Sequence, residues 1–310
     1  MNVIVFGYGN MSKRHINFIK KTKPNSKFYI IKKSKNKIFL KNHFFFNNYS
    51  NLLKNKIFDF GLICTPSKYH YKYIKLLHEN EVNFFVEKPL CKNKEELIKL
   101  KKLKKKNILK FTGYNCRFLK SLSVIKKIID RNKDPLSVEI VHQRDIKNIR
   151  KNLKFTSSIY KSTGLGGDIL LEFSHEIDIC RMLFGEPKKI YSSLNYTIKN
   201  KVLSDVKLIF KYKNFSVSII MNYHSISHKR KININYPNKE VKWDGLEGKI
   251  YILNKNNTKK VIYNNKKEMY ESYFIQIQKF LKLLDKKNKT SEYFDSSLKT
   301  QNLILKAYNV

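Results

Sequence analysis

The sequence predicts an α/β fold: an N-terminal doubly wound parallel sheet with helices on both faces, then a C-terminal α+β domain with one face of its sheet covered by helices. Three observations carry this. Short β-branched and aromatic runs alternate with helical patterns through the first third. A glycine turn stands directly behind the first of those runs. Past Arg117 the alternation gives way to runs of strands accompanied by helices.

The elements follow in order. Asn2 to Phe6 is apolar and β-branched, and a helical stretch runs from Asn10 to about Lys21. Lys27 to Lys32 reads as a second strand and Phe58 to Thr65 as a third, ended by Pro66. Lys68 to Glu79 is helical, Val82 to Val86 a strand, Lys94 to Lys105 a helix, and Leu109 to Gly113 a strand. This spacing indicates a parallel sheet covered on both faces, so residues 1–117 are expected to form a dinucleotide-binding domain. Residues 118–310 are expected to form the second, α+β domain. In it, helices at Lys120 to Asp130 and about Gly167 to Phe184 flank the strand Leu136 to Val141. Strand-like runs beyond Lys189 include Asp205 to Lys211, Phe215 to Tyr223, Lys231 to Tyr236 and Lys249 to Leu253. Helices at Tyr270 to Leu284 and Ser297 to about Ala307 close the chain.

Composition narrows the function. The 310 residues carry 64 Lys+Arg against 24 Asp+Glu, a formal net charge of +40. Such a charge can mark a polyanion binder. Here the lysines are spread along the chain, and the dense stretch Lys99 to Lys106 has Leu97, Leu100 and Leu103 at helical spacing, as the solvated face of a helix does. Compositional drift toward lysine therefore explains the charge better than a nucleic-acid partner. No apolar run is long enough to span a membrane, and only Val3 to Phe6 separates the start from Gly7, which leaves no room for a signal peptide. Cys64, Cys91, Cys116 and Cys180 are scattered without a CxxC pair, as expected of reduced thiols in a cytoplasmic protein without a metal site.

Three segments carry chemistry. In Gly7-Tyr8-Gly9-Asn10-Met11-Ser12, Gly7 permits the tight turn, Gly9 lets backbone approach a pyrophosphate at the helix start, and Ser12 occupies the position of the third glycine. Asp59 is the first acid of the chain, so the carboxylate that usually accepts from the NAD ribose is missing. Lys32, Lys33 and Ser34 stand there instead and suit the 2′-phosphate of NADP, which favours NADP over NAD. Thr65-Pro66 with His70, and Glu87-Lys88-Pro89, both lie at strand carboxyl ends, where an open α/β sheet binds ligands. In the third segment, Gly164 to Asp178, Glu172 and His175 are three apart and share one helix face, as do Asp168 and Glu172. A histidine beside carboxylates suits a general base near neutral pH, although acids decorating a helix start are an equally good reading.

Taken together, these residues resemble the glucose–fructose oxidoreductase, inositol dehydrogenase and rhizopine-catabolism (Gfo/Idh/MocA) family of NAD(P)-dependent oxidoreductases. The matching elements run in the family's order: the glycine turn with His15, Thr65-Pro66 with His70, Glu87-Lys88-Pro89, then Gly113-Tyr114-Asn115 with Arg117-Phe118. The Gly166 to Asp178 helix, Leu183-Phe184-Gly185-Glu186-Pro187 and Lys242-Trp243-Asp244 complete the set.

The resemblance implies a Rossmann domain and a second domain whose mostly antiparallel sheet often serves dimerisation. It implies a sugar, cyclitol or nucleotide-sugar substrate, with Lys88, Glu172 and His175 catalytic and Arg117, Glu172 and His175 contacting substrate. Gly7, Gly9, Asn10, Met11, Lys32, Lys33, Ser34, Thr65, Pro66, His70, Glu87 and Lys88 would line the cofactor. Two departures stand out: many relatives carry aspartate where Glu172 stands, and the ribose-binding carboxylate is missing. A cofactor-bound but catalytically silent sensor on the same fold is the alternative, against which the intact Lys88 and His175 count.

Overall fold

The structure is a computed structural model that describes residues 1–31, 41–104, 106–132, 134–145, 168–197 and 202–309. The chain packs as two units, Met1–Tyr114 with Tyr273–Gln301, and Asn115–Ser272 with Asn302–Val310.

The first unit is built on six strands: β1 (Asn2–Phe6), β2 (Lys27–Ile31), β3 (His43–Phe46), β4 (Phe60–Ile63), β5 (Phe84–Glu87) and β6 (Lys110–Gly113). They lie in the order β3-β2-β1-β4-β5-β6, and every pairing is parallel. The order reverses between β1 and β4, the point where open α/β sheets bind ligands beyond their strand ends. Helices α1 (Asn10–Thr22), α2 (Ser50–Asn55), α3 (His70–Glu79) and α4 (Lys94–Lys101) make the connections. β4, β5 and β6 are buried along their whole length, as strands covered on both faces must be. Strand β3 escapes the sequence reading because HFFF is short and shows no alternation. It joins the sheet through aromatic stacking, with Phe44 over Tyr29 at 5.1 Å and His43 over Phe28 at 5.4 Å.

The chain returns to this unit near its end, which a single cut after residue 117 does not include. The physical reason is aromatic. Phe280 of α8 (Glu268–Leu284) meets Phe60, Phe85 and Phe111 at 4.9, 5.5 and 5.6 Å. Tyr293 of α9 (Glu292–Ala307) stacks on Phe111 at 4.5 Å, and Phe294 meets Phe84 at 5.7 Å.

The second unit carries an eight-stranded sheet made from β7 (Ser137–Gln143), β8 (Lys189–Tyr196), β9 (Leu203–Lys211), β10 (Ser216–Asn222), β11 (Lys229–Tyr236), β12 (Lys239–Asp244), β13 (Lys249–Asn254) and β14 (Lys259–Asn264). Its order is β14-β13-β12-β11-β7-β10-β9-β8, antiparallel except for the β7–β10 pair. Inward residues such as Val206, Leu208, Phe210, Val217, Ile219, Met221, Ile232 and Ile234 alternate with more exposed ones, so one face is core. Helix α5 (Lys120–Arg131) presents Ser121, whose Oγ accepts from the indole Nε1–H of Trp243 at 2.9 Å. The expected helix from Gly167 is two helices, α6 (Ile169–Glu172) and α7 (Ser174–Phe184). They part at Phe173 (φ −91°, ψ 24°), which lies outside helical geometry.

Candidate functional site

In the first unit the glycine turn joins β1 to α1 at the switch point. Gly7 has φ +90°, and a Cβ there would stand 2.8 Å from the Cys64 carbonyl oxygen, so no other residue fits without displacement. Among the described residues nothing lies within 4 Å of where a Cβ on Gly9 would be. Ser12 is buried and donates its hydroxyl to the Gly9 carbonyl at 2.9 Å, which keeps helix and strand close. The start of α1 has no side-chain cap and no acid in its first turn, so its N–H groups, among them those of Asn10 and Met11, keep their positive character. Thr65, one strand over, buries an Oγ1 that has no hydrogen-bond partner among the described residues. An open glycine, uncapped amides and an unpartnered hydroxyl together fit the pyrophosphate of a dinucleotide. Lys32, Lys33 and Ser34, expected at the ribose, lie outside the described residues.

The other expected cofactor residues have protein partners. His70 is buried, its Nδ1 2.6 Å from the Pro89 carbonyl and its Nε2 2.8 Å from the Thr65 carbonyl. Burial pulls its imidazole toward the neutral form, opposed by those carbonyls and the Glu87 charge. Glu87 is buried, with Oε1 2.6 Å from His15 Nε2. Burial, then the Glu87 charge, pushes the neighbouring Cys64 thiol well up, which keeps it protonated. Pro66 is exposed at the mouth of the β4 turn. Of residues 84–91, Lys88 is the one that is not buried.

The second unit presents its candidates in the same manner. Of residues 168–180, Glu172 and His175 are the two that are not buried. The break at Phe173 places them on successive helices, so they do not share one face of a continuous helix. Asp168 caps α6 by accepting from the Leu171 N–H at 3.2 Å, and the Tyr308 hydroxyl lies 2.6 Å from both its oxygens. Burial raises the Asp168 carboxyl against those bonds. Glu172 accepts from the Tyr223 hydroxyl at 2.9 Å, which orients its carboxylate.

Behind them lies a charged cluster that the sequence did not reveal. Glu176 Oε1 takes Arg230 Nε at 2.9 Å and His142 Nδ1 at 3.0 Å, and the His142 ring lies flat on Phe173 at 3.8 Å. Burial alone would raise the Glu176 carboxyl; Arg230, His142 and His175 overcome it and hold it well below the usual carboxylate range. Arg117, expected to contact substrate, forms a bidentate pair with Asp178 at 2.7 and 2.8 Å. Tyr223, Glu176, His142 and Arg230 were missed because fold, and not spacing, brings them together. Among the described residues no group of His, Cys, Asp or Glu could hold a metal ion, and no helix is long and apolar enough to cross a membrane. All four cysteines are free thiols.

Comparison with known proteins places these features. Residues 1–113 match the model of GFO_IDH_MocA, an oxidoreductase family with an NAD-binding Rossmann fold. No curated protein matches the chain. Among solved structures, a levoglucosan dehydrogenase in complex with NADH and levoglucosan superposes with TM-score 0.82 at 16% identity, covering 100% of this chain and 97% of the other. UDP-N-acetylglucosamine 3-dehydrogenase GnnA from Acidithiobacillus ferrooxidans gives 0.76 at 14% identity over 99% and 96%. The dehydrogenase MviM from Clostridium difficile gives 0.76 at 21% over 100% and 99%. At these identities the likeness establishes the fold.

Proposed function

With its first 113 residues those of the Gfo/Idh/MocA family of NAD-binding oxidoreductases, we propose that the chain is an NAD(P)-dependent dehydrogenase or reductase. Its substrate would be the hydroxyl or keto carbon of a sugar, cyclitol or nucleotide-sugar derivative. The observation that carries the reading is selective presentation: Lys88 in 84–91, and Glu172 with His175 in 168–180, are the residues left unburied. Ionisable groups kept accessible amid buried neighbours are what proton and charge handling requires. The substrates printed for the solved relatives, levoglucosan and UDP-N-acetylglucosamine, support a sugar-like class.

The nicotinamide supplies the hydride chemistry when bound. Gly9 and the amides of Asn10 and Met11 would hold the pyrophosphate, and Thr65 would offer its hydroxyl to the same ligand. His175 takes the proton from the substrate hydroxyl, a role worth about 10²–10⁴ in rate. Lys88 bonds the same oxygen and stabilises its developing charge, worth about 10²–10³. Glu172, fixed by Tyr223, holds a neighbouring hydroxyl. NADP is the preferred cofactor on the strength of Lys32, Lys33 and Ser34. A cytoplasmic location belongs to the same reading, as does a homo-oligomer (dimer or tetramer) through the eight-stranded sheet, whose size sedimentation would test.

The test is a panel of levoglucosan, UDP-N-acetylglucosamine and myo-inositol with NADH, NADPH and their oxidised forms, followed by nicotinamide absorbance. Lys88→Met and His175→Asn should each lower kcat by at least about 100-fold while cofactor affinity changes little. Near-normal turnover in both variants refutes the assignment. Tight cofactor binding without redox on any sugar favours the silent sensor.

A further inference from the structure

We infer that His15, Glu87 and His70 are positioning residues that clamp the backbone on both sides of Lys88, so that the ammonium group is delivered to one place. The inference rests on the reading of Lys88 given above.

Each neighbour of Lys88 is held by a different buried polar side chain. On the N-terminal side, Glu87 Oε1 is 2.6 Å from His15 Nε2 of α1, and Oε2 accepts the Lys88 backbone N–H at 3.3 Å. The carboxylate packs over Gly113 of β6, where an added Cβ would stand 3.0 Å from Oε1, so the missing side chain makes room for it. On the C-terminal side, His70 Nδ1 lies 2.6 Å from the Pro89 carbonyl, and the Leu90 N–H donates to Gln301 Oε1 of α9 at 3.2 Å. His15, His70 and Gln301 are 0%, 1% and 0% exposed, so none of them is available to a ligand from solvent.

Energetics argue that this frame does more than stabilise. A buried acid–histidine pair carries a desolvation cost that its attraction barely offsets, and well-packed apolar residues would do as well for stability alone. Among the described residues His15 has no hydrogen-bond partner on Nδ1, and its other ring nitrogen is directed at Glu87. Lysine is the residue that most needs such a frame, since its flexible stem carries about 2 kcal/mol of rotamer entropy and its backbone is the part a protein can fix. His70 also stands between two turns: its second nitrogen lies 2.8 Å from the Thr65 carbonyl at the cofactor-side turn of β4, and the neutral ring donates to one of the two carbonyls at a time. The buried side chains of His70 and Glu87 therefore serve the site from behind, through their protein partners.

The experiment compares wild type with Glu87→Gln, His70→Gln and Lys88→Met. Amide hydrogen exchange of peptides covering residues 84–91 should rise at least about tenfold in Glu87→Gln and His70→Gln, with the rest of the sheet unchanged. NADH affinity should stay within about threefold of wild type, while kcat on the sugar selected by the panel above falls about 10- to 100-fold at little-changed KM. With 4-deuterated NADH the primary isotope effect should grow, because a misplaced lysine slows hydride transfer itself; a purely structural role would reduce the active fraction and leave that ratio alone. Lys88→Met should lose turnover with exchange of the turn unchanged. Unchanged exchange in both frame variants overturns the inference while leaving the role of Lys88 intact. Full turnover in Lys88→Met removes that role and the inference with it. If no sugar in the panel reacts, exchange decides: a loosened turn supports the frame and an unchanged one refutes it.

Discussion

Replacing Glu176 with glutamine keeps the shape of the side chain and removes its charge. In the native protein that carboxylate, 1% exposed, takes Arg230 Nε at 2.9 Å and His142 Nδ1 at 3.0 Å, whose side chains are 9% and 13% exposed. The amide introduced by Glu176→Gln could accept one of those donors, but the buried guanidinium would lose the charge of its Glu176 partner. Breaking a buried pair from one side costs about 3–5 kcal/mol. For a unit of this size each kcal/mol lowers Tm by about 2–4 °C, so the fall should be about 6–20 °C. Calorimetry and urea melts at pH 7 read it directly. The double variant E176Q/R230M should recover most of the loss, because the guanidinium that lost its Glu176 partner is removed with it. A single-variant cost below about 1 kcal/mol, or a double variant no better than the single, would refute the view that this cluster is a charge-balanced core.

The remaining expectations concern the turn and the acid limb. Gly7→Ala must place a Cβ within 2.8 Å of the Cys64 carbonyl at φ +90°. It should cost about 1–2 kcal/mol and weaken NADH binding at least about tenfold in a fluorescence titration; unaltered binding would contradict the role of the turn. His70, His78 and His228 all have their imidazoles pushed down, chiefly by burial, and His228 to about 4. The unfolded chain then binds more protons than the native one, so stability should decline as pH falls through the ordinary value of 6.5 toward the native values. Glu176 adds a second loss: its depressed carboxyl stabilises the fold above the ordinary 4.5, and that contribution disappears as pH drops below it. Urea melts from pH 8 to 4 would show a flat or rising profile if this sign were wrong.

Much of the site could be read directly because its signals are local. Gly7, Gly9 and Ser12 sit within one turn of each other, and Lys88 announces itself by ending a strand. Glu172 and His175 were found from spacing, yet spacing could not foresee that Phe173 leaves helical geometry and divides their helix. That break goes with a contact across the fold, His142 stacked on Phe173 at 3.8 Å, and nothing near either residue in the chain encodes it. Tyr223 on Glu172 and Arg230 on Glu176 are separated by 51 and 54 positions, beyond any periodicity argument. The same holds for α8 and α9, whose amphipathic patterns identify helices but not the sheet that Phe280 and Phe294 cover. The roles proposed for His70 and Glu87 change for a related reason: sequence places both at strand ends, and only coordinates show their polar atoms turned inward.

Nicotinamide-dependent hydride transfer to or from a sugar-like carbon is the central claim, and isotope transfer tests it most directly. With 4-deuterated NADH or NADPH and the keto form of each sugar in the panel, mass spectrometry should find deuterium on the product carbon for the wild-type protein. Lys88→Met and His175→Asn should bind the cofactor and form labelled product at least about 100-fold more slowly. Tight cofactor binding with no label transferred to any sugar, or equal initial rates of labelling in wild type and both variants, would contradict the claim.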